Sequence, residues 1–186
     1  MTGRDARVSG ECGRYRPTHE YTHLQEVVDN LPYLLMGLCG SAIFLVGFGL
    51  SGRGWTAAGL YFAYCLLGAL WIMLFVCPYC QYHGNRSCPC GYGQIAARLV
   101  PKRHEDRFAA QFRKHIPVIV PLWVIPMAAG IVFYARQQSA LMLGLLLGFG
   151  IDAFVVLPLV SRLYGCGHCP QKETCPWMLR GRGTDA

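Results

Sequence analysis

The chain has 186 residues, of which 53% are hydrophobic and 15% charged, with a mean hydropathy of +0.30 and a formal net charge of +7. That balance excludes an ordinary soluble domain of this size and reads as an all-α integral membrane protein. The basic excess lies in no folded basic module, so membrane lipid is the expected partner for it and nucleic acid is not.

A bilayer core takes about 20 consecutive apolar residues per helix. Four stretches meet or approach this: Leu31 to Leu50, Trp55 to Val76, Ile116 to Tyr134 and Ala140 to Tyr164, with Asp152 and Arg162 as the charges inside them. They predict four transmembrane helices arranged as two hairpins. Residues 1–30 form a polar N-terminal arm and 31–76 the first hairpin; 77–115 form a cysteine-rich loop with an amphipathic interfacial helix; 116–164 form the second hairpin and 165–186 a cysteine-rich tail. The arm has no apolar core behind a basic start, so no cleaved leader is expected. All Lys and Arg except Arg53 and Arg136 fall in the arm, the middle loop or the region from Arg162 onward. By the positive-inside rule this predicts a plasma (inner) membrane protein with both termini and the cysteine-rich loops in the cytosol.

In the arm, Cys12 stands alone, and His19 and His23 are spaced four apart on what reads as a solvated face. The first hairpin turns at Ser51-Gly-Arg-Gly54, and Gly37, Gly40, Ser41, Gly47 and Gly49 give its first helix a surface for close helix packing. The second hairpin turns at Arg136-Gln-Gln138. Pro117 fits the start of its first helix, whereas Pro121 and Pro126 are expected to kink that helix and free backbone carbonyls. Gly144 and Gly148 make a second small-residue pattern. Asp152 sits mid-span, where an ionised carboxylate is unfavourable by several kcal/mol unless paired or protonated. It reads either as a hydrogen-bonded structural carboxyl or as an intramembrane proton or ion relay.

Four cysteines, Cys77, Cys80, Cys88 and Cys90, lie within fourteen residues directly after the second span. The tail carries Cys166, Cys169 and Cys175 directly after the fourth. Each hairpin thus ends in a Cys-x-x-Cys pair followed by a Cys-Pro, which reads as a parallel internal repeat placing two thiol clusters side by side. Thiols on the reducing side of a membrane point to metal ligation or redox work rather than structural disulfides. Thiolates are soft donors suited to zinc, copper(I) and iron-sulfur clusters. The first cluster supplies four sulfurs by itself, while the second needs His168, His83, Cys12 or an outside ligand.

The spacings match neither short ferredoxin runs nor paired zinc knuckles. Proline follows Cys77, Cys88, Cys169 and Cys175, as it follows ligand cysteines in ferredoxin-type runs. The expectation is therefore an electron-transfer subunit with one or two cytosolic iron-sulfur centres, working with a cytosolic or membrane protein partner. The alternatives are zinc in a membrane scaffold that docks a partner, and soft-metal-ion handling. Both Cys-x-x-Cys pairs follow C-terminal helix ends, where the dipole disfavours a thiolate, which argues against a catalytic dithiol.

Overall fold

A computed structural model describes residues 20–166, with side chains through 163, and every regular element in that range is helical. Four helical stretches are long and apolar enough to cross a membrane: His23–Gly47, Gly52–Tyr79, Glu105–Gln137 and Ala140–Leu163. Between 17% and 33% of each apolar window is buried inside the protein, so most of the apolar surface faces outward and requires lipid.

Helix α1 (His23–Gly47) starts eight residues before the apolar run because Thr22 and Gln25 form a reciprocal capping box. The Thr22 hydroxyl accepts from the Gln25 N–H, and the Gln25 side chain accepts from the Thr22 N–H at 2.9 Å. Pro32, next to Leu31 at the start of the first apolar run, lies inside this helix, whereas Pro117, next to Ile116 at the start of the third, lies in a 3-10 turn (Ile116–Val118). The two hairpins therefore begin in different local structures.

α1 packs against α2 (Gly52–Phe75), α5 (Pro121–Gln137), α6 (Ala140–Ile151) and α7 (Leu157–Val160), which makes it the axis of the bundle. Met36, Ile43 and Phe44 of α1 meet Tyr61 of α2, Leu122 and Phe133 of α5 and Phe149 of α6 in one core. Gly40 and Gly47 make this approach possible: a Cβ on Gly40 would lie 2.3 Å from the Tyr61 ring, and one on Gly47 would lie 2.1 Å from the Phe133 ring. Gly144 and Gly148 have no neighbour within 4 Å of a built Cβ among the described residues, so that pattern does not pack inside the chain.

Of the two prolines expected to free carbonyls in the third span, Pro126 lies inside α5 and does so, whereas Pro121 stands at its first position. Pro126 has no N–H for the Leu122 carbonyl, which accepts the Tyr61 hydroxyl at 2.9 Å instead. The Leu122 N–H goes to Ile119 rather than Val118, and the Val118 carbonyl accepts the Tyr64 hydroxyl. α5 begins at Pro121 rather than at Pro117 because the 3-10 turn absorbs the first proline. In the fourth span, α6 passes into a π-helical turn (Asp152–Val156) whose Leu157 N–H reaches the Asp152 carbonyl, just before Pro158.

Tyr61→Phe would strand the Leu122 carbonyl in a region without water, and an unmet buried acceptor is worth about 1–3 kcal/mol. The variant is expected to unfold at lower temperature in detergent by circular dichroism, and Gly40→Val further still, while Gly144→Val matches the parent chain.

Candidate functional site

The cysteine loop folds back onto the N-terminal end of α1. After α2 a 3-10 turn (Cys77–Tyr79) places Cys80, whose N–H bonds the Cys77 carbonyl at 3.0 Å. Arg103 braces that turn, with its N–H on the Pro78 carbonyl at 2.8 Å, its guanidinium on the Tyr79 hydroxyl at 2.9 Å and over the Tyr79 ring. The chain then turns through residues 81–90 into α3 (Tyr92–Leu99), capped by Gly91 in the left-handed conformation at φ 71°. A Cβ on Gly93 would lie 2.4 Å from the Tyr82 carbonyl oxygen and 3.2 Å from Cys88 Cβ, so the first turn of α3 presses directly on the loop.

α1 holds the loop from the other side. The Asn30 amide donates to the Cys90 carbonyl at 3.0 Å, and Gln94 donates to the Glu26 carboxylate at 3.2 Å. The Tyr21 N–H bonds the Arg86 carbonyl at 3.2 Å. A groove of about 440 Å³ runs between α1 and α3, with Glu26, Asn30, Leu34, Cys90, Gln94 and Arg98 along it.

These constraints bring the Cys77, Cys88 and Cys90 thiols into mutual electrostatic contact, with Cys88 and Cys90 hydrogen-bonded to each other. The Cys88 sulfur also accepts the Gly93 N–H at 3.3 Å. The hydrogen bond from Cys90 holds Cys88 below the usual thiol range against the opposing effect of burial, and the Gly93 N–H adds to it. Cys90 is pushed up, first by donating to Cys88 and then by burial. The relevant helix terminus for Cys88 is therefore the N-terminus of α3, which favours a thiolate, and not the C-terminal end of the preceding span.

A carboxyl also stands in this pocket. Asp29 of α1 is 5% exposed, lies in hydrogen-bond contact with the Cys90 thiol and acts electrostatically on Cys88. Its Oδ1 has no hydrogen-bond partner. Asp29 falls within the polar arm of the sequence reading, and only a helix continued upstream to the Thr22 cap places it on α1, about half a turn before the apolar run. Among the described residues, no three His, Cys, Asp or Glu side chains stand in the arrangement of a preformed metal site.

Other candidate residues lie elsewhere. His83 is buried against the backbone of α3, with Nε2 at 3.1 Å from the Val100 carbonyl, and burial pushes its pKa down. Asp152 is buried in the π-helical turn, with Oδ2 unpartnered among the described residues and Cys39 as an electrostatic neighbour. Cys39 is ten residues beyond Asp29 on α1, about 15 Å along the helix, so Asp152 is remote from the thiols. The Tyr33 hydroxyl lies 3.3 Å from the Ser161 hydroxyl, which brings the end of the fourth span to the same end of α1 as the loop. Cys12, His19, His168, Cys169 and Cys175 lie outside the described residues, as does the side chain of Cys166. No protein-family model, curated protein or solved structure matches the chain.

Gly93→Ala is expected to force α3 off the loop and expose Cys88 and Cys90. Native-state maleimide labelling followed by peptide mapping should show both thiols modified at least several-fold faster than in the parent chain.

Proposed function

We propose that this integral membrane protein folds its middle loop around one soft divalent metal ion, zinc being the occupant that fits best, and that Cys77, Cys88 and Cys90 are its sulfur ligands. The observation that carries the reading is that Cys77, Cys88 and Cys90, from both ends of the loop, are buried or half-buried together where α3 presses on the loop and Asn30 of α1 holds the Cys90 carbonyl. Two thiolates on one tetrahedral ion at 2.3 Å stand about 3.8 Å apart, which suits neighbouring cysteines of one loop, and a four-cysteine iron-sulfur cluster would need one more sulfur beside these three. The Gly93 N–H on Cys88 supports the thiolate that ligation needs and fixes its direction.

The ion would lie at the cytosolic face, since Lys and Arg outside the two short turns fall on the side that carries the loop. There it would staple the end of α2 to α3 and to the start of α1, and present a folded surface to a cytosolic partner. The electron-transfer reading is the second, favoured by the prolines after Cys77, Cys88, Cys169 and Cys175 and by the buried Asp152 as a proton-coupled group. In that case an iron-sulfur centre would occupy the same thiols.

Anaerobic purification of the full chain in detergent, with no metal added, separates these readings. Elemental analysis is expected to give about one zinc per chain in a colourless protein without acid-labile sulfide. Iron with stoichiometric sulfide and a visible spectrum would transfer the assignment to electron transfer, and a metal-free chain that takes up neither ion would overturn both.

A further inference from the structure

Asp29 is not explained by the fold. It is a carboxyl 95% removed from solvent, counted from its 5% exposure, and no Lys or Arg pairs with it among the described residues. Desolvating a carboxylate without a cation is unfavourable by several kcal/mol, so such a group is held either protonated or beside something positive. Its neighbours are Cys88 and Cys90, which as thiolates would add negative charge and deepen the deficit. What three sulfurs and a carboxylate lack in common is a cation.

We infer that Asp29 is the fourth ligand of the centre, giving one divalent ion a set of three sulfurs from Cys77, Cys88 and Cys90 and one oxygen from Asp29. The inference rests on the metal-binding reading above. Four donors complete a tetrahedral ion, and a carboxylate oxygen at about 2.0–2.2 Å is an ordinary zinc ligand beside sulfur. Oδ1, buried and without a hydrogen-bond partner, is the atom available to bind.

Neighbouring contacts hold Asp29 in register. Asn30, the next residue, donates to the Cys90 carbonyl, and its amide also bonds the Glu26 carbonyl at 2.7 Å. The backbone of Cys90 is thereby tied to the turn of α1 that carries Asp29. Ion binding would displace to solvent the protons held by the Cys77, Cys88 and Cys90 thiols, and by Asp29 where it is protonated, and would draw Cys77 and Asp29 inward. A ligand from α1 makes the metal a direct link between the loop and the bundle axis, so its removal would loosen the start of α1 as well as the loop.

Cobalt(II) titration of the full chain in detergent tests this, with sulfur-to-cobalt charge transfer reporting bound thiolates and the d–d bands reporting the whole ligand set. The parent chain is expected to bind one ion. Asp29→Asn should keep its helical circular dichroism, bind roughly 10–100-fold more weakly and shift the d–d bands. Asp29→Cys should restore binding and raise the charge-transfer intensity by about one third, as three thiolates become four. Asp106→Asn, at an exposed position before α4 (Phe108–His115), should keep the parent spectrum and affinity. Unchanged d–d bands in Asp29→Asn, together with no gain in charge transfer in Asp29→Cys, would overturn the ligand role and leave the metal-binding reading standing. Failure of the parent chain to bind cobalt with any sulfur charge transfer would overturn both. If Asp29→Asn loses its helical signal, the Asp29→Cys intensity alone decides.

Discussion

The continuity of α1 is the constraint on which the rest of the structure depends. One unbroken helix runs from the Thr22 cap through Pro32 to Gly47, and its two halves do different work. The second half, with Met36, Gly40, Ile43, Phe44 and Gly47, is the surface on which the other spans converge. The first half carries Glu26, Asp29 and Asn30 to the cysteine loop. Because a helix is rigid over this length, the position of the loop is fixed relative to the membrane core by the same element that fixes the core.

Within the apolar region the governing rule is that every backbone polar group needs a partner where water is absent. The proline-rich start of the third span breaks that rule locally at Leu122 and Val118. Tyr61 and Tyr64, one turn apart on α2, restore it. These two hydroxyls tie the hairpins together, since α2 otherwise has few contacts with the second half of the chain. Trp71 extends the same pattern toward the loop, donating to His115 at 3.3 Å while Phe75 stacks on that ring, so the end of the amphipathic helix α4 (Phe108–His115) is pinned to α2.

At the loop the controlling quantities are charge and direction. A short helix that begins at Gly91 aims a backbone N–H at Cys88, while α1 supplies a carboxyl and an amide from the opposite side. The thiols therefore sit between a donor-rich helix start and a buried acid, an environment largely shielded from solvent. Arg103 contributes by holding the 3-10 turn through Pro78 and Tyr79, not by neutralising the thiols.

The sequence by itself determined the four membrane-crossing helices, since runs of about 20 apolar residues have no other low-energy disposition. It also determined the short glycine link after α1 and the need for partners to the proline-freed carbonyls. It marked Cys77, Cys80, Cys88 and Cys90, with Cys166, Cys169 and Cys175 of the tail, as candidates, because soft donors so close together are informative without coordinates. Only the tertiary structure decided that α1 begins at His23, because a capping box outweighs the polarity of the residues behind it. Only the tertiary structure decided that Tyr61 and Tyr64 are those partners, that Gly40 and Gly47 pack while Gly144 and Gly148 do not, and that the fourth span contains a π-helical turn. It also decided that Asp29, sixty-one residues before Cys90, shares a pocket with it, because that proximity comes from long-range packing and no local pattern encodes it.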